Sequence, residues 1–563
     1  MVQISLSAEE TGSDFHAQTR LGSIFGKRFN SYKNQGTLYK FLNIPFAKAP
    51  VGHLRFAKPL PYGAWSGTLN ATKFGPACYQ TETRFNLSED CLQLNIYVPN
   101  DFNPSNRKSV MVWIHGGGYV IGSGISYDGG FLALKGDVIV VTINYRLGIF
   151  GFLASKDYSA KGNMGLWDQI LALNWVRYNI HDYGGNPRDV TIFGESAGGT
   201  SVSLLALIPY NRGLFHRVII ESGVATSTFA TTNASSSTIR IAEKVGCIHD
   251  TLSSNDATFL RCLRSVDPMK LINATSEFTS ELGLLALKFV TFAPVVDGEL
   301  LRREPALLLK DKTSSEFNFF QSLDVMIGNC ETEGSIIVSL LPLLQDELTF
   351  NISIGIPTKE MCNTFLTYIL SEDIKSNDMV FKAVCEKYTV KEDVAEQGRQ
   401  LLSLVGDYVF IKPSISTLID HSNNNQGSST YQFMFFDENS YLLSKAPSWY
   451  HGSAHGTELT YLFLYEQVSS VIKFPKGAEI LVNQMRSYWT NFAKTGNPNG
   501  PGLPVWLPFD RNSSHPYMRL RSLNTGMGQD YRKEYMEFWL HKIPKMLSNP
   551  DCDQNSCALP VVG

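Results

Sequence analysis

Short apolar runs alternate with segments of helical spacing along the first half of the chain. Residues 163–178 repeat apolar side chains at helical spacing. Strands that are apolar on both faces are typical of a parallel sheet covered by helices. The pattern predicts an α/β fold with a central, mostly parallel sheet. Its strands are expected in four runs that are almost wholly apolar or β-branched, at residues 109–114, 137–144, 190–193 and 217–220.

The second half of the chain is richer in helical patterns, at about residues 237–309 and 359–419. We expect these segments to form helical excursions that roof the sheet. The longest polar stretch, residues 421–430, contains four Asn or Gln residues and three Ser residues, and it predicts a surface loop. Because neither an internal repeat nor a linker is visible, the chain is predicted to form one large domain over residues 1–563.

Composition and charge exclude several classes of function. Of the 563 residues, 43% are hydrophobic, and the 49 basic and 52 acidic residues give a net charge of −3. This balance, without a long Lys/Arg run, argues against a nucleic-acid partner. The most apolar stretch, residues 138–153, contains an Asn-Tyr-Arg segment and is shorter than the ~20 residues that span a membrane. We therefore expect no integral membrane segment.

The strongest chemical signal is a G-x-S-x-G motif, Gly-Glu-Ser-Ala-Gly at residues 194–198. It follows the apolar run 190–193 and precedes a plausible helix at residues 199–206. Strand, tight turn and helix are the setting of a nucleophile elbow, in which the serine lies at a helix N-terminus. This context favours Ser196 as a nucleophile over a plain Gly-Ser turn.

A second signal is His-Gly-Gly-Gly at residues 115–118, directly after the first apolar run. Ester hydrolysis by a serine needs backbone N–H donors directed at the oxyanion of the tetrahedral intermediate, and consecutive glycines let a backbone come close. Alone, the run is equally consistent with a glycine-rich connector. Its position about 80 residues before the serine motif favours an oxyanion-hole loop.

These motifs resemble those of the type-B carboxylesterases and lipases, a family that includes cholinesterases, liver-type carboxylesterases and insect esterases. The resemblance implies an α/β-hydrolase fold and a serine carboxylesterase that works through an acyl-enzyme, with no metal and no organic cofactor. It extends over most of the chain. Besides the two motifs above, it rests on segments 41–47, 89–95, 144–148, 162–169, 184–187, 294–298 and 455–458.

A nucleophilic serine needs a base and an acid that orients the base. Chain order in this fold is serine, acid, histidine, and seven histidines follow Ser196. His455 is the best candidate, because Gly456 suits a tight loop and the segment matches the family's His-Gly-x-Glu. The main competitor is His451, which we interpret as a surface residue.

The acid is expected directly after the apolar run 323–327. Glu333 resembles the acidic residue of the family's Asp-Glu-Gly motif, and Glu331 is the near alternative. A glutamate in place of the commoner aspartate keeps the same role, which is to fix the histidine tautomer and stabilise the imidazolium.

The resemblance also bears on the residues around the serine. Glu195 stays open between an electrostatic role and an ordinary turn residue. Residues 221–223, after the fourth apolar run, are expected to support the site. The resemblance assigns the oxyanion hole to the N–H groups of Gly117, Gly118 and Ala197.

The nine cysteines show no metal-ligand spacing. By family resemblance, Cys78 pairs with Cys91 and Cys247 pairs with Cys262, while Cys330 stays reduced. The sequence leaves open the pairing of the remaining four, Cys362, Cys385, Cys552 and Cys557.

Cysteine placement and the N-terminus point to different compartments. The N-terminus lacks a basic region followed by an apolar run, so no signal peptide is predicted. Cysteines on polar, loop-like segments favour an oxidising compartment. We expect a secreted or ER-lumenal protein whose signal is absent from this sequence, with a cytoplasmic protein as the alternative. Possible glycosylation sequons lie at Asn70, Asn86, Asn233, Asn273, Asn351 and Asn512.

The segment between Cys78 and Cys91 bears on the substrate. It holds 12 residues, with Tyr79 and Phe85 but no Trp. Cholinesterases have a longer loop there with a Trp that binds quaternary ammonium by cation–π contact, and typical lipases of the family use a long lid. The departure favours a general carboxylesterase for neutral esters of modest size. A choline-binding cage elsewhere would have to draw on other tryptophans, of which the candidates are Trp65, Trp113 and Trp449.

Three alternatives remain beside the carboxylesterase. One is a lipase or sterol-ester hydrolase of the same family. The second is a catalytically inactive adhesion relative, and the third is a protein that only binds hydrophobic ligands. Turnover of a chromogenic ester separates the last two from an enzyme. The sequence predicts a small-molecule ester as partner and leaves the oligomeric state open.

Overall fold

A mixed β-sheet runs through the centre of the protein. The computed structural model describes residues 12–155, 160–248, 257–287, 290–338, 348–422, 427–438 and 446–548. Its strands are β1 (Ser13–Thr19), β2 (Gly22–Phe29), β3 (Leu38–Pro45), β4 (Thr68–Asn70), β5 (Ala77–Cys78), β6 (Leu87–Ser88), β7 (Gln93–Pro99), β8 (Lys108–Ile114), β9 (Ile139–Ile143), β10 (Gly185–Glu195), β11 (Arg217–Glu221), β12 (Asp324–Cys330), β13 (Thr430–Phe435), β14 (Tyr517–Leu520) and β15 (Gly526–Gly528).

The main sheet is parallel at its centre and antiparallel toward both ends. Its order is β1-β2-β3-β7-β9-β8-β10-β11-β12-β13-β14-β15, with β4 beside β2 and with β5 and β6 in a separate pair. Pairing is parallel from β9 through β8 and β10 to β14. The four predicted apolar runs form β8 to β11, and β8 and β9 are buried along their whole length. The predicted α/β-hydrolase fold, with a mostly parallel central sheet, is confirmed.

The part of the chain before the glycine loop, residues 115–118, departs from the predicted alternation of strands and helices. β1, β2, β3 and β7 pair antiparallel, and no α-helix lies between them in the described residues. Exposed and half-buried residues alternate along β1, which is the period-two pattern of a strand with one solvated face. The alternating α/β pattern therefore begins only after β8.

Helices cover the two faces of the sheet and outnumber strands in the described second half of the chain. The predicted helix at residues 163–178 is α3, displaced by one residue. The described α-helices are α1 (Gly130–Gly136), α2 (Gly148–Phe152), α3 (Met164–Asn179), α4 (Ala197–Leu205), α5 (Ser235–Lys244), α6 (Ala257–Ser265), α7 (Pro268–Glu281), α8 (Pro305–Lys310), α9 (Ser315–Gln321), α10 (Thr358–Glu360), α11 (Leu366–Ile369), α12 (Glu372–Lys375), α13 (Asp378–Tyr388), α14 (Val394–Val405), α15 (Lys412–Ser422), α16 (Tyr465–Val468), α17 (Ala478–Thr495), α18 (Lys533–Glu537) and α19 (Ile543–Ser548).

One helical run has the length and hydropathy of a membrane span. It extends from Val394 to Ser422 and joins α14 to α15 through a π-helical turn, Gly406–Ile411. Within its most apolar window, 72% of the residues are buried inside the protein. Packing in the interior therefore accounts for its apolar character. The stretch 138–153, which the sequence marks as most apolar, instead forms β9 and α2.

The core has one apolar layer on each face of the sheet. Side chains alternate along β8, so that Val110, Val112 and Ile114 pack on the same face as the buried residues of α3. Met111 and Trp113 point to the opposite face and pack with α1 and α17. A third apolar cluster lies within the helical excursions, mainly on α13, α14 and the π-helical turn. The sheet is thereby held between helices, with the ends of its strands free to carry a site.

Three disulfides join described residues. They link Cys78 to Cys91, Cys247 to Cys262 and Cys362 to Cys385. Cys330 is free and buried. Cys552 and Cys557 lie outside the described residues. Each disulfide closes a local segment, which is typical of proteins that fold in an oxidising compartment.

The polar stretch 421–430 is only in part the predicted surface loop. α15 extends to Ser422, and His421 is fully buried, with its ring nitrogens 2.8 Å from Thr430 Oγ1 and 3.0 Å from the carbonyl oxygen of Leu323. The prediction was wrong for His421 because a polar side chain can be buried where both of its polar atoms find partners.

Candidate active site

Ser196 lies at the turn between β10 and α4. Its backbone has φ 58° and ψ −124°, a conformation that is costly for a residue with a side chain. The Ser196 N–H donates to the carbonyl oxygen of Glu221 at 2.9 Å, and its own carbonyl accepts from Thr200 N–H at 2.8 Å. Hydrogen bonds from two neighbouring elements thus hold the strained turn, which has the strand–turn–helix form of a nucleophile elbow.

Two glycines of the motif are required by the closeness of the neighbouring strand. A Cβ at Gly194 would lie 2.6 Å from the carbonyl oxygen of Ile114, at the end of β8, and a Cβ at Gly198 would overlap the same oxygen. A backbone atom in a parallel sheet cannot move aside as a side chain can. The glycines therefore let the elbow sit directly against β8.

The glycine loop after β8 packs on the elbow. A Cβ at Gly116 would lie 2.5 Å from the carbonyl oxygen of Glu195 and 3.1 Å from Cβ of Ser196. Gly117 and Gly118 have φ of 104° and 62°, in the left-handed region that favours glycine. No other described residue accepts a hydrogen bond from the N–H of Gly117, Gly118 or Ala197. These three amides are free to donate to a ligand beside Ser196.

His115 fixes the base of this loop, a role that the sequence did not reveal. Its ring is fully buried, stacks on Tyr145 with centroids 4.5 Å apart, and bonds through Nδ1 to the carbonyl of Gly116 at 2.9 Å. Burial lowers the pKa of His115 to about 4, so the ring is neutral at physiological pH. Tyr145 also donates its hydroxyl to the carbonyl of His115 at 2.8 Å.

Glu333 and His455, distant in sequence, meet beside the elbow. Nδ1 of His455 lies 2.6 Å from Oε2 of Glu333, the distance of a charge-assisted hydrogen bond. The loops that carry them are joined by a bridge between Thr332 and Ala454. The N–H of His455 also donates to Ser335 Oγ at 2.8 Å. Backbone and side-chain contacts together fix how the imidazole faces the carboxylate.

The second oxygen of the Glu333 carboxylate also accepts hydrogen bonds. Oε1 accepts from Ser222 Oγ at 2.6 Å, from Asn329 Nδ2 at 3.1 Å and from the N–H of Cys330 at 2.8 Å. The side chain is completely buried. Three donors on one oxygen compensate the desolvation of a buried carboxylate and fix its orientation. The segment 221–223 thus reaches the site through Ser222.

Glu195 lies on the other side of the imidazole. Its Oε1 is 3.1 Å from Nε2 of His455. Burial, reinforced by the charge of Glu333, raises the pKa of Glu195 above its ordinary value. Burial by itself would lower the pKa of His455, but the carboxylates of Glu195 and Glu333 outweigh burial and raise it. The turn residue therefore has an electrostatic effect on the imidazole.

Two further buried carboxyls complete an acidic cluster that the motifs did not reveal. Burial, reinforced by Glu195 and Glu333, raises the pKa of Glu458, whose Oε2 accepts from the thiol of Cys330 at 2.8 Å. Burial also raises the pKa of Glu221, which accepts from Trp489 Nε1 at 3.2 Å. Both carboxyls thus favour the protonated form.

The competing candidates lie outside this arrangement. Glu331 is exposed, although it stands only two residues from Glu333. His451 is also exposed. Both line a polar cavity of about 690 Å³, and Ser196 is not among the residues that line it. The difference arises where the backbone turns: Glu333 begins the 3-10 helical turn Glu333–Ile337 and is buried, whereas Glu331 precedes that turn and faces solvent.

Aromatic rings border the imidazole on its open side. Phe410, in the π-helical turn, has its ring centroid 4.9 Å from that of His455, and Phe229 packs on Phe410 at 5.4 Å. Phe229 also lines a second cavity of about 390 Å³, with Tyr408 and Asn233. A π-helical turn inside a long helix often marks a functional position. Here it presents an aromatic ring to the histidine.

Comparison with known proteins shows the family of the chain. The sequence model of the carboxylesterase family matches residues 13–539. The chain belongs to the carboxylesterase family. It is therefore a carboxylic ester hydrolase, and a small-molecule ester is its substrate. The chain is 33% identical to carboxylesterase 1E of Mus musculus, over 97% of both proteins. It is 35% identical to carboxylesterase 1D of Mus musculus, over 92% of this chain and 91% of the relative, and 34% identical to liver carboxylesterase of Sus scrofa, over 94% and 93%.

The three tryptophans considered for a choline-binding cage, Trp65, Trp113 and Trp449, make their contacts away from the site. Trp65 donates to the carbonyl of Ser23, Trp449 donates to that of Ile352, and Trp113 packs on Phe193 and Phe463 beneath the sheet. In the segment between Cys78 and Cys91, Tyr79 stacks on Phe150 and Phe85 lies beside Arg84. None of these contacts joins an indole to Ser196, Glu333 or His455.

Proposed function

We propose that the chain is a serine carboxylesterase in which Ser196 is the nucleophile, His455 the general base and Glu333 the acid that orients His455. The observation that carries the proposal is the 2.6 Å contact between Nδ1 of His455 and Glu333, with Nε2 of the same imidazole 3.1 Å from Glu195, the residue before the strained Ser196. Serine needs an adjacent base to be nucleophilic at neutral pH. The arrangement supplies that base and an orienting carboxylate.

In this mechanism Ser196 Oγ attacks the ester carbonyl while Nε2 of His455 takes the hydroxyl proton. Glu333 stabilises the imidazolium that forms. The tetrahedral oxyanion accepts hydrogen bonds from the free N–H groups of Gly117, Gly118 and Ala197. His455 then returns the proton to the leaving alcohol, and water, activated by the same base, releases the acid from Ser196.

The contact between Ser196 and the base is expected to tighten when substrate binds. In the described structure Nε2 makes no hydrogen bond and lies beside Glu195 instead. Catalytic hydrogen bonds are often long in the free enzyme and shorten in the complex. A small shift of the imidazole from Glu195 toward the elbow would complete the pair.

The test combines a covalent probe with a matched variant. A fluorophosphonate should label the protein stoichiometrically, and peptide mapping should place the adduct on Ser196. Ser196→Ala should abolish labelling and lower turnover of 4-nitrophenyl acetate by orders of magnitude, with an unchanged circular dichroism spectrum. An adduct on another residue, or near-normal turnover in the folded variant, would overturn the assignment and favour a relative that only binds ligands or adhesion partners.

The substrates are neutral esters of modest size, without a preference for choline esters. The aromatic ring that contacts His455 is that of Phe410, which packs on Phe229. The tryptophans named above use their indole faces or N–H groups elsewhere. Trp provides the strongest cation–π platform. We expect kcat/KM for butyrylthiocholine to stay below about ten times that for an uncharged thioester of equal acyl length, a limit of ~1.4 kcal/mol. A larger preference would reveal a cation site, and activation at an oil–water interface would favour a lipase.

The three disulfides favour an oxidising compartment, and we propose that the protein is secreted or ER-lumenal and glycosylated. All six sequon asparagines are exposed, as attachment of a glycan requires. Expression in a eukaryotic secretory pathway should yield a protein whose mass falls on treatment with an N-glycosidase. A protein that folds and stays active with all its thiols reduced would favour the cytoplasmic alternative.

A further inference from the structure

Cys330 forms hydrogen bonds with two buried carboxyls near His455, those of Glu333 and Glu458. It is the last residue of β12 and is fully buried. Its backbone N–H donates to Oε1 of Glu333 at 2.8 Å, and its thiol donates to Oε2 of Glu458 at 2.8 Å. One residue thus contacts both the carboxylate that orients the histidine and a second carboxyl three positions after the histidine.

The Glu458 carboxyl depends on this thiol for a hydrogen-bond donor. Its side chain is buried, and Oε1 has no hydrogen-bond partner. Among the described residues, the Cys330 thiol is the only donor to the Glu458 carboxyl. The backbone of Glu458 belongs to the turn that follows His455, because its carbonyl accepts from Tyr461 and Leu462. A hydrogen bond from β12 to Glu458 therefore ties that turn to the sheet.

The surroundings keep Cys330 in the donor form. Burial and the neighbouring carboxyls of Glu458 and Glu333 raise the pKa of the Cys330 thiol well above its ordinary value. A neutral thiol retains its proton and is a weak donor. Its partner, however, is the buried carboxyl of Glu458. Leaving a buried acceptor without a donor costs more free energy than an ordinary hydrogen bond contributes.

We propose that Cys330 is a positioning residue for ester hydrolysis: its thiol, by donating to Glu458, holds the turn that carries His455 against the strand that supports Glu333. The inference rests on the proposed role of His455. Cys330 touches neither substrate nor reacting atoms, so its effect passes through Glu458 and the placement of the imidazole. A misplaced base lowers the rate of the chemical step more than it lowers the affinity for substrate.

The first test is a double-mutant cycle on steady-state hydrolysis of 4-nitrophenyl acetate. Cys330→Ala should lower kcat about fivefold, as expected for the loss of one hydrogen bond between neutral groups, with KM changed less than twofold. Cys330→Ser, which keeps a donor, should stay within about twofold of the parent protein. In a Glu458→Gln background, Cys330→Ala should cause no further loss of kcat, because the carboxyl through which the thiol acts has already been replaced.

Several outcomes would overturn the proposal. Cys330→Ala with unchanged kcat would show that the thiol has no positioning role. Equal losses in Cys330→Ser and Cys330→Ala would show that the volume of the side chain matters rather than its proton. Losses that add fully to those of Glu458→Gln would show that Cys330 does not act through Glu458.

The second test measures the hydrogen bond itself and does not depend on catalysis. The S–H stretching band of Cys330 is isolated as the infrared difference between the parent protein and Cys330→Ala. A hydrogen bond to a carboxyl lowers the frequency of that band, so Glu458→Gln should raise it. An unchanged frequency would refute the thiol–carboxyl bond. If His455→Ala retained full turnover while the band shifted as expected, the proposed base would be wrong although the contact is real.

Discussion

The two halves of the active site are built in different ways. On the nucleophile side, Ser196 and the glycine loop follow two neighbouring strands, β10 and β8, and their geometry is set by backbone packing. On the acid–base side, Glu333 and His455 are separated by 122 residues, and only side-chain contacts and one bridge join their loops. The first half is specified locally by glycines, whereas the second depends on how the helical excursions return to the sheet.

This difference indicates what each half can tolerate. At Gly194 and Gly198 the nucleophile side has no room for an added methyl group, because the nearest atom is the carbonyl oxygen of Ile114 in the interior strand β8. The acid–base side has redundant support, since three donors converge on one oxygen of Glu333. We therefore expect substitution of the close-packed glycines to destroy the nucleophile side. Single substitutions of side chains that support Glu333 should have graded effects on the acid–base side.

The largest effect on rate is expected from Glu333→Gln. An amide is nearly isosteric with the carboxylate but cannot stabilise the imidazolium, so kcat should fall by about 10³-fold or more. Circular dichroism and fluorophosphonate labelling of the same sample separate loss of chemistry from loss of fold. The matched control is Glu331→Gln, which should stay within about twofold. A larger loss in the control than in Glu333→Gln would assign the acid to Glu331.

On the nucleophile side, Gly198→Ala tests the packing of the elbow. The new methyl group would overlap the carbonyl oxygen of Ile114, and we expect the free energy of unfolding to fall by more than about 4 kcal/mol. Gly526→Ala is the control, because Gly526, like Gly198, has no positive φ, and no atom lies within 4 Å of its new Cβ. It should lower the free energy of unfolding by less than about 1 kcal/mol. Urea unfolding measures both, and equal losses would show that overlap with Ile114 is not what requires a glycine at position 198.

The pH dependence of kcat/KM should respond to Glu195. The carboxylate of Glu195 raises the pKa of His455, and the base acts only when the imidazole is neutral. Glu195→Gln removes that charge, so the imidazole loses its proton at lower pH and the acidic limb should move down by about one pH unit. Glu466→Gln, at a carboxylate paired with Arg486 instead, is the control. An acidic limb that stays in place would mean that Glu195 does not act on the base.

The smallest effect is expected from Ser222→Ala. The substitution removes one of the three donors to Oε1 of Glu333, while Asn329 and the N–H of Cys330 remain. We expect kcat to fall about two- to fivefold, in line with one hydrogen bond to a charged group that keeps other partners. Steady-state kinetics at constant pH is sufficient. A loss comparable with that of Glu333→Gln would contradict the redundancy of this support.

Much of the nucleophile side could be predicted from the sequence. The apolar runs of β8 and β10 and the two glycine motifs are contiguous in the chain, and a parallel sheet allows few ways to place consecutive βα units. The prediction of a mostly parallel sheet is confirmed. The antiparallel strands before β8 and the burial of His421 were not predicted, because their patterns are short and their partners lie far along the chain.

The sequence by itself determined the fold class, the strand–turn–helix setting of Ser196 and the glycines that let the turn approach β8, because these follow from local composition and from periodicity. Only the tertiary structure decided which carboxylates surround the imidazole. Glu195, Glu221 and Glu458 come together from three separate segments of the chain, and their pKa values rise because burial removes water from all of them together. No single segment contains that information, since desolvation is a property of the assembled core.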